Sequence, residues 1–480
     1  MAVLIPVAPQ FRPPLDLEFL PASLWNRAYC AAVAASGQAQ DLALALERSD
    51  GSVSTVRTTI FPHAGEWAAA NESYIERLLK FLLWQRGGYK VTVVGDPGVA
   101  AFLRQVYSPE GRRAFDFHFM GERVYGLPMR IEATSYDRAP EERETAAALG
   151  RHLDGCRIGF DLGASDRKCA AVIDGEVVHT EEVVWDPSFK TDPQYHFDEI
   201  NDTLRRAAAH LPCVEAIGGS AAGVYVNNEV RVASLFRGVP PELFNSRVRR
   251  LFYELQAAWN GVPFEVVNDG EVTALAGSMA LNDNAVLGVS MGSSQAGGYV
   301  TPQGNITNWL NELAFAPIDY RADAPVDEWS GDRGVGAQYF SQQAVARLAP
   351  AAGLDFPSDM PLAARLAETQ ALMAKGDDRA RRIYETIGVY FGYAVAHYAD
   401  FYEIRHLLVL GRVLSGEGGG VIVDTAQRVL CAEFPELAER IRLEVPSEKE
   451  KRHGQAVAAA SLPRITRDST LNTPFLAEDR

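Results

Sequence analysis

Cysteine is scarce in this chain, and its spacing is irregular. Five cysteines occur among 480 residues, and no two of them form a Cys-x-x-Cys pair. They are Cys30, Cys156, Cys169, Cys213 and Cys431. An odd number of scattered cysteines argues against a disulfide framework and against a cysteine-rich zinc site. A reducing compartment fits this composition, so we expect a cytoplasmic protein whose thiols are mostly small core residues.

Positive charge and long apolar runs are also lacking. Lysine and arginine number 46 against 62 aspartates and glutamates, which gives a net charge of −16 and a pI near 5.1. An acidic chain is a poor partner for nucleic acid or for an anionic membrane surface. No stretch reaches the uninterrupted length of a membrane span, and the first residues lack the basic and apolar regions of a signal peptide. We therefore expect no nucleic-acid partner and no membrane association.

The length and the ordinary globular composition, with 47% hydrophobic residues, predict several domains. Residues 1–150 have the pattern of an α/β unit of their own, with a hairpin at 42–60, a helix at 71–85 and a further hairpin at 115–127. A charged stretch at 137–144 indicates a boundary near residue 150. We predict three domains, with the bounds 1–150, 151–280 and 281–480.

Residues 161–165 (Asp-Leu-Gly-Ala-Ser) join two apolar runs and form the most informative stretch of the sequence. The pattern predicts a strand that ends in an acid, a tight loop of small residues and a second strand. A loop without bulky side chains lets backbone N–H groups approach a phosphate, and the acid could hold Mg²⁺ through water. The alternative is an ordinary hairpin with a small-residue turn.

The same pattern returns at residues 285–300, where Gly292, Ser293 and Ser294 lie between two apolar runs. Two such loops, well over a hundred residues apart, indicate two similar halves. Each loop would supply N–H groups to phosphates, and Ser165 and Ser293 could add hydroxyl donors.

Asn268 and Asp269 follow a predicted strand and precede an apolar helix. Asp269 could take a proton from a reacting hydroxyl, and the alternative is a helix N-cap. The glycine-rich residues 218–223, with Ser220 and Gly223, either let a substrate approach the backbone or form a plain turn. Lys168 either faces the phosphates or is a solvated lysine on an edge strand.

Together these motifs, over roughly residues 155–465, resemble the ROK family of sugar kinases within the actin-like ATPase superfamily. The resemblance implies duplicated α/β domains of the ribonuclease H-like type around a central cleft, here with an N-terminal α/β extension. It implies two phosphate loops, at 161–165 and 292–294, and an adenosine-site turn at 409–411. It also implies that Asn268 binds a sugar hydroxyl and that Asp269 is the catalytic base.

The resemblance assigns further residues to the site. Glu312 corresponds to a sugar-binding Glu, although a surface acid is the alternative, and Arg412 could flank adenine or be simply exposed. The expected nucleotide-binding residues are Asp161, Gly163, Ala164, Ser165, Lys168, Gly292, Ser293, Ser294, Gly411 and Arg412. The expected catalytic and substrate-binding residues are Asp269, Asn268, Glu312, Ser220 and Gly223. Asp161 is the expected Mg²⁺ ligand, through water.

The sequence departs from the family at its zinc loop. Ser330 and Val335 replace two zinc cysteines, Phe315 replaces the ligand histidine, and Ala337 replaces a sugar-binding glutamate. Thiolate and imidazole ligands are therefore missing, so we expect no zinc site and a loop held by packing.

The resemblance implies an ATP- and Mg²⁺-dependent kinase that phosphorylates a hydroxyl of a sugar or sugar-like small molecule. The alternative is a non-catalytic sugar- or nucleotide-binding regulator of the ROK type. Such regulators commonly carry an N-terminal winged helix, and residues 1–150 contain no evident basic recognition helix. An ATPase that activates a redox partner is disfavoured, because no pair of cluster-binding cysteines is present. The N-terminal extension could cap the cleft, mediate a homodimer or add substrate contacts.

Overall fold

The computed structural model describes residues 5–144, 149–446 and 448–465, and side chains are described for all of these except 448–453. The described chain divides into two compact units. The first unit comprises residues 5–144, 289–297 and 309–445, and the second comprises 149–288, 298–308, 446 and 448–465. The N-terminal residues thus share a unit with most of the region after 281, and the three-domain division of function stays a prediction.

The described residues form mixed α/β structure. The helices are α1 (Ala22–Ala35), α2 (Ala68–Arg86), α3 (Pro97–Val106), α4 (Ala114–His118), α5 (Pro193–Ala208), α6 (Pro241–Ser246), α7 (Leu251–Ala258), α8 (Asp269–Leu281), α9 (Gln342–Ala352), α10 (Leu362–Met373), α11 (Asp378–Ala399), α12 (Glu417–Glu433), α13 (Pro435–Arg440) and α14 (Glu448–Ala460). The strands are β1 (Gln40–Glu47), β2 (Val53–Ile60), β3 (Lys90–Val94), β4 (Arg130–Thr134), β5 (Cys156–Leu162), β6 (Asp166–Ile173), β7 (Glu176–Val184), β8 (Ala216–Ala221), β9 (Val224–Val226), β10 (Glu229–Val232), β11 (Phe264–Asn268), β12 (Val286–Met291), β13 (Gln295–Val300), β14 (His406–Leu410) and β15 (Arg442–Glu444).

The N-terminal part of the first unit contains a sheet of order β2-β1-β3-β4. The predicted hairpin at 42–60 and helix at 71–85 are present as β1–β2 and α2. The hairpin predicted at 115–127 is wrong, because α4 and a π-helical turn, Phe119–Tyr125, occupy this stretch. Phe115 and Phe119 are four residues apart, so a helical backbone brings both rings to one face, where their centroids lie 6.2 and 4.9 Å from that of Trp84.

The second unit is built on a sheet of order β11-β8-β5-β6-β7. Strand β5 pairs in parallel with β8 and antiparallel with β6, and β8 pairs in parallel with β11. In this register Asp161 lies opposite both Lys168 and Ser220, and Asn268 lies opposite Ala221. The carboxyl ends of three parallel strands therefore bring the acid of the first loop, Ser220 and Asn268 to one edge of the sheet.

Helix α14 packs directly on the backbone of this sheet. A Cβ atom at Gly159 or Gly218 would lie 1.7 Å from the carbonyl oxygen of Ala456 or Ala459, respectively. Only glycine allows such a close approach. Residues 218–221 are thus part of the buried strand β8, and the plain turn considered for the glycine-rich stretch 218–223 is wrong for them.

In the first unit, residues 289–291 of β12 and 295–297 of β13 join β14 and β15 in a sheet of order β13-β12-β14-β15. Helix α11 is buried along most of its length and packs against α12. In the described chain, no helix combines the length and apolar character that crossing a membrane requires.

Candidate active site

Asp161 ends the central strand of the second unit's sheet and is buried, with 7% of its surface exposed. The Ser220 hydroxyl donates a hydrogen bond to Asp161 Oδ1 at 2.7 Å. Burial raises the pKa of Asp161, and the hydrogen bond from Ser220 and the positive charge of Lys168 partly oppose this rise. Ser220 thus orients the acid of the first loop, and its predicted contact with substrate stays a prediction.

The first loop is closed by backbone hydrogen bonds and by one indole. The Gly163 N–H donates to the Asp166 carbonyl at 2.9 Å, and the N–H of Trp185 donates to the Ser165 carbonyl at 3.1 Å. The indole N–H of Trp185 donates to the Gly163 carbonyl at 2.8 Å. Ala164 and Ser165 remain exposed at the tip, where a ligand could approach the backbone. Trp185 comes directly after strand β7, and no local sequence pattern indicated that it contacts the first loop.

Lys168 lies beside the acids of the first loop. Its Nζ is 2.9 Å from Asp166 Oδ1 and 3.8 Å from Asp161 Oδ2. The interpretation of Lys168 as a solvated edge lysine is wrong, because β6 pairs with β5 on one side and β7 on the other. The hydrogen bond to Asp166 and the charge of Asp161 raise the pKa of Lys168 against its desolvation, so it carries a positive charge at neutral pH.

Asn268, rather than Asp269, caps helix α8. Asn268 Oδ1 accepts a hydrogen bond from the Gly270 N–H at 2.7 Å, and its amide nitrogen donates to the Gly223 carbonyl at 2.7 Å. Gly223 therefore fixes Asn268 through its backbone. Asp269 is the first helical residue, and its Oδ1 also accepts from the Gly270 N–H, at 3.0 Å.

The carboxyl group of Asp269 is harder to ionise than an ordinary aspartate. Burial, followed by the negative charge of Asp161, raises the pKa of Asp269 from 3.8 to about 6. Tyr225 is a further neighbour, since burial and the charge of Asp269 raise the pKa of its phenol. Tyr225 lies in strand β9, two residues after Gly223, and no sequence pattern indicated its position beside Asp269.

Asp161 and Asp166 form an oxygen-rich pair that suits Mg²⁺. Hard divalent cations of this size bind carboxylate oxygens and keep much of their water shell. One oxygen of Asp161 accepts from Ser220, and Lys168 balances the charge of the pair. The donor set of this strand-loop-strand unit therefore fits a water-mediated Mg²⁺ site.

The second loop lies in the first unit and is a tight turn. The Gly292 N–H donates to the Ser294 carbonyl at 2.8 Å, and the Gly292 carbonyl accepts from the Gln342 N–H at 2.9 Å. Ser293 and Ser294 are exposed. A Cβ atom at Gly292 would contact only the Ser294 carbonyl oxygen, at 3.6 Å, so the space beside this glycine is open.

Gly411 lies against the second loop within the same unit. Its φ of 101° is in the region that favours glycine, and a Cβ atom there would lie 2.4 Å from the Met291 carbonyl oxygen. Arg412 is exposed, and its carbonyl accepts a hydrogen bond from Gln370 at 2.7 Å. The predicted contact of Arg412 with adenine stays a prediction.

Glu312 is half-buried, and its backbone is held by the N-terminal part of the first unit. The Glu312 N–H donates to the Trp84 carbonyl at 2.9 Å. Phe315, three residues later, packs with its ring centroid 4.4 Å from that of Trp84 and 5.0 Å from that of Trp329. Apolar and aromatic packing thus occupies the position where the family places a zinc-ligating histidine.

One group of potential metal ligands lies away from these motifs. The ligand atoms of Cys156, Cys213 and Glu215 lie within 4.8 Å of one another. Cys156 is more than fifty residues from Cys213 and Glu215, so no sequence motif predicted this group. The parallel pairing of β5 and β8 brings the three residues together. Glu215 accepts a hydrogen bond from the Cys156 N–H at 2.8 Å, and burial raises the pKa of the Cys156 thiol to about 11. A thiol that stays protonated at neutral pH is a weak metal ligand.

No protein-family model matches the sequence, and comparison with curated proteins finds no match. Solved structures do match. The ROK hexokinase from Thermus thermophilus superposes with a TM-score of 0.51 and 18% identity, over 64% of this chain and 97% of that chain. A ROK-family transcriptional regulator, a homologue of the E. coli Mlc protein, superposes with a TM-score of 0.52 and 18% identity, over 64% of this chain and 78% of that chain.

Identities this low show the fold and leave the activity to be established. The expected duplicated α/β architecture is confirmed by these superpositions. Over 64% of its length, this chain has the fold of these two ROK-family structures.

Proposed function

We propose that this protein is an ATP-dependent kinase that transfers the γ-phosphoryl group to a hydroxyl of a sugar or sugar-like small molecule. The observation that carries the proposal is the pair of acids in the second unit. Asp269 has a pKa raised to about 6 by burial and by Asp161, and Asn268 caps the helix in its place. Phosphoryl transfer needs held phosphates, neutralised charge and a positioned acceptor, and these residues are suited to the last two tasks.

Asp269 is the proposed general base. A carboxylate with a pKa of about 6 is ionised at neutral pH yet binds a proton more tightly than an ordinary aspartate. One amide N–H of Asn268 donates to the Gly223 carbonyl, and the amide oxygen of Asn268 accepts from the Gly270 N–H. The second amide N–H of Asn268 would then donate to an acceptor hydroxyl. The acceptor would thus be oriented by Asn268 while its proton moves to Asp269.

Asp161 and Asp166 would hold Mg²⁺ through water, and the ion would neutralise phosphate charge. The exposed backbone of Ala164 and Ser165 would donate N–H groups to the phosphates. Lys168 would add positive charge on the same side.

Further residues that are proposed to bind nucleotide and acceptor lie in the first unit. Ser293 and Ser294 are proposed to donate to the phosphates. Gly292, whose N–H is bonded to the Ser294 carbonyl, would leave open space beside them for the ligand. Gly411 and Arg412 are proposed to contact adenosine. Glu312 is proposed to accept a hydrogen bond from an acceptor hydroxyl.

The direct test is a phosphorylation screen of sugars, amino sugars and polyols with ATP and Mg²⁺. We expect Asp269→Asn to lower kcat about 10²- to 10⁴-fold while the KM for ATP changes little, the range seen for general bases. The wild-type rate should fall tenfold per pH unit below about pH 6. Glu265→Gln is the matched control, since burial also raises the pKa of Glu265 on the preceding strand. Full turnover by Asp269→Asn would refute the assignment.

The second candidate is a regulator that binds sugar without phosphorylating it. The similarity in fold to the ROK-family transcriptional regulator supports this candidate. Calorimetric binding of a sugar, with no ADP formed over many hours in the presence of ATP and Mg²⁺, would favour it over the kinase.

A further inference from the structure

The last turn of helix α2 is bonded to the segment that carries Glu312. The carbonyl groups in the last turn of a helix have no partner within the helix. In α2, the Gln85 carbonyl accepts from the Asn311 N–H at 2.8 Å, and the Trp84 carbonyl accepts from the Glu312 N–H at 2.9 Å. The backbone of Glu312 is therefore fixed by directional bonds from a helix that lies more than two hundred residues earlier in the chain.

A buried ion-pair cluster joins the same helix to the loop that follows Glu312. Lys80 is fully buried, and its Nζ lies 3.0 Å from both carboxylate oxygens of Asp116. Lys80 also pairs with Asp332, and Arg113 bridges Asp332 and Glu76. Breaking one partner of such a buried cluster leaves an uncompensated charge, so its members are coupled.

Two further contacts tie α2 into this arrangement. The Trp84 indole N–H donates to Asp116 Oδ1 at 2.8 Å, so Lys80 and Trp84, one helical turn apart, share the same acid. Arg77, on the same helix, donates to the Arg333 carbonyl at 3.1 Å. Helix α2 thus holds the Glu312 backbone at its end and the loop around Asp332 along its length.

We propose that helix α2 is a positioning element for the acceptor site: it fixes Glu312 and the loop at residues 327–333, so that the N-terminal extension determines acceptor affinity. This inference rests on the proposed function, in which Glu312 accepts a hydrogen bond from the acceptor. Helix α2 acts through the backbone of Glu312, and the proposal assigns it no contact with the acceptor itself. Its loss should therefore weaken acceptor binding more than phosphoryl transfer.

The test compares two substitutions that each remove an ion-paired lysine of the N-terminal extension. Lys80→Met breaks the cluster that includes Asp332. Lys90→Met is the control, because Lys90 pairs with Glu47 and Glu132, which lie on strands β1 and β4 of the extension. Asp332→Asn, which keeps the side-chain shape, is the second variant if Lys80→Met fails to fold.

Two readouts are measured for each folded variant. The first is amide hydrogen exchange in the peptide that covers residues 311–315, which should become at least about tenfold faster in Lys80→Met or Asp332→Asn and stay unchanged in Lys90→Met. The second is kinetics with the best sugar from the screen, where the acceptor KM should rise about tenfold while kcat and the KM for ATP stay within about twofold.

Unchanged exchange at residues 311–315 in both cluster variants would overturn the proposal. Faster exchange with an unchanged acceptor KM would also overturn it, because the cluster would then be merely structural. If the wild-type protein phosphorylates no sugar, the proposed function has failed. The exchange comparison requires no substrate and still decides whether α2 holds Glu312.

Discussion

The raised pKa of Asp269 lowers the stability of the folded protein at neutral pH, as expected of a buried group that serves a proposed catalytic role. The folded protein raises the pKa of Asp269 from 3.8 to about 6, through burial and the charge of Asp161. Between these two values the folded state binds a proton that the unfolded state has released. Stability therefore falls as the pH rises through this window, and it stays lower at neutral pH, where the buried carboxylate is charged.

We predict that Asp269→Asn is more stable than the wild-type protein at pH 7.5, by roughly 3 kcal/mol, because the pKa of Asp269 is raised by about two units and each unit corresponds to about 1.4 kcal/mol. The gain should vanish below about pH 4, where both side chains are neutral. Guanidinium unfolding of both proteins at the two pH values measures it. Asp355→Asn, at an exposed acid, is the control and should have little effect at either pH. Equal stability of Asp269→Asn and wild type at pH 7.5 would contradict the raised pKa.

At the level of elements, helix α14 can pack closely on the sheet because two glycines of the sheet have no side chain at the contact. Gly159 on β5 and Gly218 on β8 let carbonyl oxygens of the helix approach the strand backbones. Ala170, Val172, Ala456 and Ala460 form a small apolar cluster beside this contact. Since β5 and β8 also carry Asp161 and Ser220 at their ends, the packing of α14 supports the strands that position the site.

We predict that Gly159→Ala destabilises the protein by about 3 kcal/mol or more, because the new methyl group would overlap the Ala456 carbonyl oxygen and force the helix to move. Gly420→Ala is the matched control, since Gly420 lies in helix α12 with no atom within 4 Å of the added Cβ. Alanine should stabilise that helix by up to about 1 kcal/mol. Denaturant midpoints measure both effects, and a tolerated Gly159→Ala would show that α14 does not pack as closely as described.

The sequence predicted the strands and loops of the site better than the distant residues that contact them. Small-residue loops after apolar runs are local patterns, so the turns at 161–165 and 292–294 and the strands around them were found. Trp185 and Tyr225 were missed, because their contacts depend on how distant strands pair. The glycines at 218 and 219 were mistaken for a possible turn, because glycine in a buried strand and glycine in a turn have the same local signature.

The same holds for single residues: the residues of the site were identified from the sequence, but their contacts were not. Asn268 and Asp269 were both found, but which of them caps the helix depends on backbone angles that sequence alone leaves open. Ser220 was predicted to bind substrate, which stays a prediction, but its hydrogen bond to Asp161 depends on the pairing of β8 with β5 and was not foreseen. The buried cluster around Lys80 gave no sequence signal, because its members are spread from Glu76 to Asp332.

At the scale of the whole molecule, the distribution of charge bears on the choice between kinase and regulator. A sequence-specific DNA-binding protein needs basic side chains that reach phosphates. The chain instead has a net charge of −16. In the N-terminal extension Lys80, Arg48 and Arg113 are buried in ion pairs, and such cations are not available to a phosphate backbone.

The order of elements in the extension points the same way. A helix-turn-helix module needs two adjacent helices with the second presented to the major groove. In residues 5–144, α3 and α4 follow one another directly, but α4, which would be the second helix, contains no lysine or arginine. Helix α3, which follows β3, carries Arg104 as its sole cation, and its buried face packs on the sheet. The extension is thus built to pack within its own unit, where α2 contacts the Glu312 segment.

We therefore predict that the protein of residues 1–480 does not retard DNA at 150 mM salt, with dissociation constants no tighter than the non-specific range of about 10⁻⁴ to 10⁻⁶ M. Gel retardation with a pool of random duplexes measures this, and selection of bound duplexes over several rounds tests for sequence preference. The assay is repeated with the best sugar from the screen, since a sugar-controlled regulator would bind DNA in only one of the two states. Enrichment of one sequence in either state, with a dissociation constant below about 10⁻⁸ M, would contradict the kinase assignment in favour of a regulator, because only specific complexes reach that affinity.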